Sequence, residues 1–165
     1  SDIWFDKSGN DLHGTVSGAS VENAPSGDDG LVYEEGTWTP ELAFGGNSVD
    51  IAYNAGQCKG GYTRIGNTVR INARLLITNN GSSAGSATIT GLPYPPLADP
   101  AGCASVTIGR LFGVSFANQL FAYINESATT IDLFEVTEGG VETPLTEGEF
   151  ANDSNVTFSA TYQIV

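Results

Sequence analysis

Along residues 69–78 apolar and polar positions alternate almost without a break. Val69, Ile71, Ala73, Leu75 and Ile77 are apolar, and of the positions between them only Leu76 is not polar. A period of two marks a strand with one face buried and one in water. The stretch before it, "GGYTRIGN", supplies a partner: Tyr62 and Ile65 lead into a Gly66-Asn67 turn, so a hairpin is expected. "SAGSATITGLPY", following Asn79-Asn80-Gly81, reads as the strand that completes the next hairpin. Near the C-terminus "NVTFSATYQIV" repeats the alternation, with Val156, Phe158, Ala160, Tyr162 and Ile164 on one face.

Shorter runs add further strands: "CASVTIG", "LFGVSF", "LFAYINE" and "TIDLFEV", with Glu138-Gly139-Gly140 as a turn. "EEGTWTPELAFGG", at residues 34–46, reads as one strand from Thr37 to Phe44. Pro40 forces Thr39 out of the helical region, Trp38 and Phe44 are apolar anchors, and Gly45-Gly46 ends the run. Pro93, Pro95, Pro96 and Pro100 make a loop unfit for a central strand. Turn residues interrupt every helical window, and no apolar run approaches the roughly 20 residues of a membrane span. Nine or ten short strands without a helix predict an all-β fold, an antiparallel β-sandwich resembling a jelly roll.

Residues 1–33 differ from this pattern. "DKSGNDLHGTVSGASVENAPSGDDG" is rich in Gly, Ser, Asn and Asp and reads as a connector, with one extended piece at Leu12 to Val16. The β domain is expected over residues 34–165. The chain starts at Ser1 with no basic, apolar leader; the missing Met reads as an internal start within a longer polypeptide, or as a processed terminus.

Charge narrows the partners. Nineteen acidic residues against six basic ones give a net charge of −13, a field that repels phosphate backbones and argues against nucleic acid. Eight of the acids fall between Glu126 and Asp153, where there is no Lys or Arg; such a run reads as a solvated face. Two cysteines, Cys58 and Cys103, allow one bridge but read better as free thiols of a chain assembled in a reducing cytosol.

Little in the sequence points to catalysis. The single histidine, His13, lies in the connector, so neither a Ser-His-Asp triad nor a His-based zinc site can be built in the domain. No cofactor is expected. Paired carboxylates leave glycoside hydrolysis as the one enzymatic alternative. Asp6, Asn10 and Asp11 have oxygen-rich spacing that a loosely held Ca²⁺ would accept, but an Asx-turn cluster is the favoured reading and no metal is expected.

In order, "EEGTWTPELAFGG", "AYNAGQCKGGYTRIGNTVRINARLLIT", "GSATITGLPYP" and "NVTFSATYQI" resemble a C-terminal module of bacteriophage tail fibres and tailspikes. The resemblance covers residues 34–165, and "DKSGNDLHGTVSGA" is similar to the connector that precedes such modules. It implies a homotrimeric β-sandwich at the tip of a virion fibre, assembled in the host cytoplasm. There it would bind host cell-surface polysaccharide or, alternatively, serve only to trimerise and register the fibre. Sugars stack on aromatic rings beside turns, so Tyr33, Trp38, Tyr53, Tyr94 and Tyr123 are the ligand-binding candidates, each with a core role as the competing reading. "TIDLFEV" is apolar on both faces, which places Phe134 and Val136, with Leu111, Phe112 and Phe121, among candidate subunit contacts. Arg64, Arg70 and Arg74 are expected to face carboxylates, within or between subunits, and the acids from Glu135 to Glu149 to lie at an outer rim.

Overall fold

The computed structural model describes Val32–Val165 throughout and, before it, the backbone of Ile3, Trp4, Gly14 and Thr15. The chain divides into two units, Ser1–Leu31 and Val32–Val165. In the first, β1 (Ile3–Trp4) pairs antiparallel with β2 (Gly14–Thr15). Asp6, Asn10 and Asp11 lie outside the described residues.

The second unit is all-β and antiparallel, as the alternation predicts. Its strands are β3 (Tyr33–Trp38), β4 (Glu41–Phe44), β5 (Ile51–Tyr53), β6 (Lys59–Ile65), β7 (Thr68–Asn80) and β8 (Ala87–Thr90). They continue as β9 (Ala104–Val114), β10 (Gln119–Ile124), β11 (Ile131–Val136), β12 (Glu142–Pro144) and β13 (Phe150–Gln163), with two short 3₁₀ turns, Pro100–Gly102 and Glu147–Glu149. One path of hydrogen-bonded neighbours runs β3-β6-β7-β13-β9-β10-β11-β8-β4, with β5 on β7 and β12 on β11. The two ends of that path, β3 and β4, are joined by only Thr39 and Pro40. Trp38 and Glu41 are three residue steps apart, at most about 11 Å, so the sheet must curl until its ends approach, and it forms a half-barrel closed over its own inner face.

This geometry corrects three readings of the sequence. The stretch from Thr37 to Phe44 is not one strand: Pro40, with no N–H to give a ladder, breaks it into β3 and β4 at opposite ends of the path. The segment around β8 does not complete a hairpin with β7. After Gly81, at φ +76°, the chain crosses over, and β8 pairs with β4 and β11. The "CASVTIG" and "LFGVSF" runs merge into the single strand β9, which bends at a bulge opposite Thr157 and Phe158. Through that bend β9 serves both halves of the sheet, pairing with β13 along most of its length and with β10 at Ala104 and Ser105.

The inward faces build one core. Val69, Ile71, Ala73, Leu75 and Ile77 of β7 are buried, as are Val156, Phe158, Ala160 and Tyr162 of β13 and, beyond its end, Ile164. From the other half come Leu42, Phe44, Ile89, Ile124, Ile131 and Leu133. Phe44 meets Phe150 edge-on at 5.3 Å between ring centres, tying β4 to the start of β13. In β3 and β6 two glycines lie directly opposite aromatic residues, Gly36 facing Tyr62 and Gly60 facing Trp38. Each ring lies over its glycine so closely that a Cβ would overlap it, at 2.5 Å for Tyr62 and 2.3 Å for Trp38.

Candidate functional site

The β10-β11 hairpin presents an open aromatic surface, and its register explains why. Ala122 and Ile124 of β10, with Ile131 and Leu133 of β11, point into the core, so Phe121, Tyr123, Asp132, Phe134 and Val136 must point outward. Phe121 is paired with Phe134, and Tyr123 with Asp132. Tyr123 and Phe134 stack with 5.4 Å between centres and 13° between planes, and Phe121 lies tilted at 5.8 Å from Tyr123. On the far side of β11 the same rows continue into Pro144, opposite Phe134, and Thr88, opposite Asp132. A cleft of about 210 Å³ opens there, lined by Ser86, Thr88, Asp132, Phe134 and Pro144 among others.

Burial pushes the Asp132 carboxyl above its ordinary value, only partly offset by the Thr130 hydroxyl, which donates to it at 3.2 Å. Burial, and then the charge of Asp132, push the Tyr123 phenol up as well. The surface thus combines flat apolar rings, a carboxyl with spare acceptor capacity and the hydroxyls of Ser86 and Thr88. That combination suits a polyhydroxylated ligand: C–H faces lie on the rings while hydroxyls donate to the carboxyl. The loop that feeds β10 is fixed by Glu135, whose carboxylate accepts from the backbone N–H of Ala117 (2.8 Å) and Asn118 (2.9 Å). Those two bonds, with Asn118 the larger influence, hold its pKa below the ordinary value.

The remaining candidates scatter. Tyr33 is 63% exposed at the start of β3, its hydroxyl donating to Glu35. Trp38 is a core residue, edge-on to Phe158 at 6.1 Å, and offers no open ring face. The Tyr53 hydroxyl donates to the Leu42 carbonyl (3.2 Å) and accepts from the Leu42 N–H (2.9 Å), and burial pushes its pKa up to about 12. Tyr94 belongs to a clasp: its hydroxyl and that of Tyr62 both donate to the Glu34 carboxylate at 2.5 Å, and Arg64 lies 5.1 Å over its ring. Tyr62 first, then Tyr94, with a smaller contribution from Arg64, hold Glu34 below its ordinary pKa.

Of the apolar subunit-contact candidates, Phe121, Phe134 and Val136 join Tyr123 on the hairpin surface. Leu111 instead faces inward, half-buried, and Phe112 is 52% exposed on the opposite half of the sheet. Of the three arginines, Arg64 lies opposite Glu34 across β3 and β6 and helps hold its pKa down. Arg74 donates to the Asn155 side-chain oxygen (3.2 Å) and Arg64 to the Gly66 carbonyl (2.9 Å). Sequence reasoning missed Asp132, Thr88 and Pro144. The outward Asp between two apolar residues in "TIDLFEV" was the available signal for the first; the other two need the strand register.

The fold is similar to that in the crystal structure of Dettilon tailspike protein (gp208), with a TM-score of 0.64. A tailspike shares this fold. The match covers 79% of this chain but 24% of that protein, at 14% sequence identity, so the likeness to the tailspike is one of fold, over less than a quarter of its length. No protein-family model matches the sequence, and no curated protein does.

Proposed function

We propose that this chain is a non-catalytic domain of a phage tail fibre or tailspike and that it binds host cell-surface carbohydrate on the β10-β11 surface. The observation that carries the reading is the stacked Tyr123-Phe134 pair beside the half-buried Asp132, on a fold similar to a tailspike's. Exposed apolar patches bordered by polar groups mark interaction sites. The partner is a bacterial surface polysaccharide, and the location is the virion.

The same apolar patch favours a second reading, in which Phe121, Phe134 and Val136 are buried between subunits of a homotrimer that caps the fibre. One set of variants separates the two. Wild type and Tyr123→Ala would be tested for binding to whole bacteria and arrayed bacterial polysaccharides, with sedimentation measured in parallel. Lost binding at unchanged mass supports carbohydrate recognition. Lost trimer with no wild-type binding supports the cap. Failure of the wild type to bind any cell or glycan sinks the first reading, and reducing sugar released from a bound polysaccharide overturns the non-catalytic assignment.

A further inference from the structure

The outward face of the other half of the sheet has a different chemistry. It runs across β6, β7, β13 and β9, and strand register fixes its rows. Lys59 lies opposite Arg74, Arg74 opposite Thr157, and Thr157 opposite Arg110. Three cations therefore span four neighbouring strands, about 14 Å at the usual strand spacing. A row beyond Asn72, Ser159 and Thr107 lies Arg70, opposite Thr161. These four residues are most of the six basic residues in a chain of net charge −13. Like charges directly opposite each other, as Lys59 and Arg74 are, weaken a sheet unless something compensates them.

A depression of about 350 Å³ opens on this face, lined by Arg70 and the hydroxyls of Ser105, Thr107, Ser159 and Thr161. A guanidinium fork ringed by short hydroxyls is built for a planar anion carried on a hydroxyl-rich scaffold. The area between the cations is Thr, Ser and Asn, with little of the apolar surface that the centre of a protein interface needs, so a second copy of the chain fits it poorly. The acid in the row of Arg70 is Glu35, two strands away beyond Thr63 and engaged by the Tyr33 hydroxyl. At about 10 Å of strand spacing its charge is largely screened at physiological salt, where the screening length is about 8 Å.

We propose that this face is a second binding surface, specific for an acidic polysaccharide, with a sugar carboxylate held by Arg70 in the hydroxyl-lined depression and the polymer continuing along Lys59, Arg74 and Arg110. The ligand class rests on the carbohydrate-binding reading above; the site does not involve the aromatic surface. Arg110, 5.9 Å over the exposed Phe112 ring, closes the row with an aromatic edge.

The test uses the whole chain at 0.15 M salt with oligogalacturonate, a neutral dextran of similar length and single-stranded DNA as probes. Oligogalacturonate should bind. Arg70→Ala should weaken it about tenfold, the size of one charge-assisted hydrogen-bond pair. Arg70→Lys should fall between, Arg110→Ala should weaken it less, and Tyr123→Ala should leave it unchanged. Circular dichroism of each variant checks that it is folded. Absent binding of the acidic probe, equal binding of dextran, or an Arg70→Ala variant with wild-type affinity overturns the proposal. DNA binding with the same arginine dependence also overturns it, since the face would then be a general polyanion surface. Uronate binding that depends on Arg70 would stand even if Tyr123→Ala left adsorption to cells untouched and the reading of the aromatic surface failed.

Discussion

Replacing Gly60 by Ala tests whether the contact between Trp38 and Gly60 holds the closed sheet together. A Cβ at Gly60 would lie 2.3 Å from the Trp38 Nε1, 2.6 Å from Cε2 and 2.7 Å from Cδ1. The indole cannot simply lift away, because Phe158 packs edge-on behind it and the residue is only 7% exposed. Overpacking costs about 1–3 kcal/mol. Disturbing the aromatic pair adds about 0.5–1.5 kcal/mol. Against these, Gly→Ala stiffens the unfolded chain, a gain of about 0.4–1 kcal/mol. The net expectation is a loss of about 2 kcal/mol, which for a chain of this size lowers Tm by roughly 4–8 °C. Gly61→Ala is the internal control, since its Cβ would meet nothing nearer than the Asn72 Oδ1 at 3.5 Å and should be neutral or slightly stabilising. Urea unfolding followed by far-UV circular dichroism gives both values, and Trp38→Leu in the Gly60→Ala background should recover part of the loss. If Gly60→Ala lies within about 0.5 kcal/mol of wild type, the scatter of ordinary surface changes, the reasoning is refuted.

Three further outcomes follow from the site geometry. Glu34 has a depressed pKa, so its stabilising contribution is complete above the ordinary Glu value and is lost as pH falls through the depressed one; Tyr62→Phe and Tyr94→Phe should each flatten the acid limb of a urea-midpoint-against-pH curve, and an unaltered limb would count against the clasp. Asp132 has a raised pKa, so its ionised form costs stability at neutral pH and the cost is relieved as pH falls through the raised value; Asp132→Asn should therefore stabilise at pH 7, by an amount that shrinks on acidification, and a destabilised variant at pH 7 would contradict this. Cys103 is exposed, whereas Cys58 is buried with its thiol donating to the Pro40 carbonyl at 3.2 Å and its pKa raised by burial. A thiol reagent should thus titrate one equivalent quickly and the second only on unfolding, whereas two fast equivalents would mean that Cys58 is accessible.

Local alternation made much of the fold legible. The burial of Val69 through Ile77 and of Val156 through Tyr162 follows from period two alone, as does the two-sided apolar character of β11. What stayed hidden was strand order. Nothing local distinguishes a β8 that pairs with β7 from one that pairs with β11, because both arrangements bury Ala87 and Ile89. The aromatic surface was half-visible for the same reason: Phe121, Tyr123 and Phe134 could be singled out as ambiguous, but their assembly with Asp132, Thr88 and Pro144 depends on which strands flank β11. Trp38 misled because a Trp beside a turn looks accessible, and only its pairing with Gly60 shows that the glycine makes room for its ring. The cationic row needed the placement of β13 between β7 and β9, since Arg74 and Arg110 are far apart in sequence.

That placement has a consequence for biogenesis. Of the strands of this unit, β13 is synthesised last, and it stands between β7 and β9 inside the sheet. A nascent chain still lacking it exposes two long strand edges, those of β7 and β9, with no partner for either. The two half-sheets then have no hydrogen-bonded connection between β7 and β9, and the Trp38 and Phe44 rings lack Phe158 and Phe150. Folding of this unit is therefore a late, all-or-none event that follows synthesis of residues 150–163, slowed by pairings distant in sequence. A chain cut short before residue 150 should therefore be a sticky, degradable species rather than a shortened but working unit.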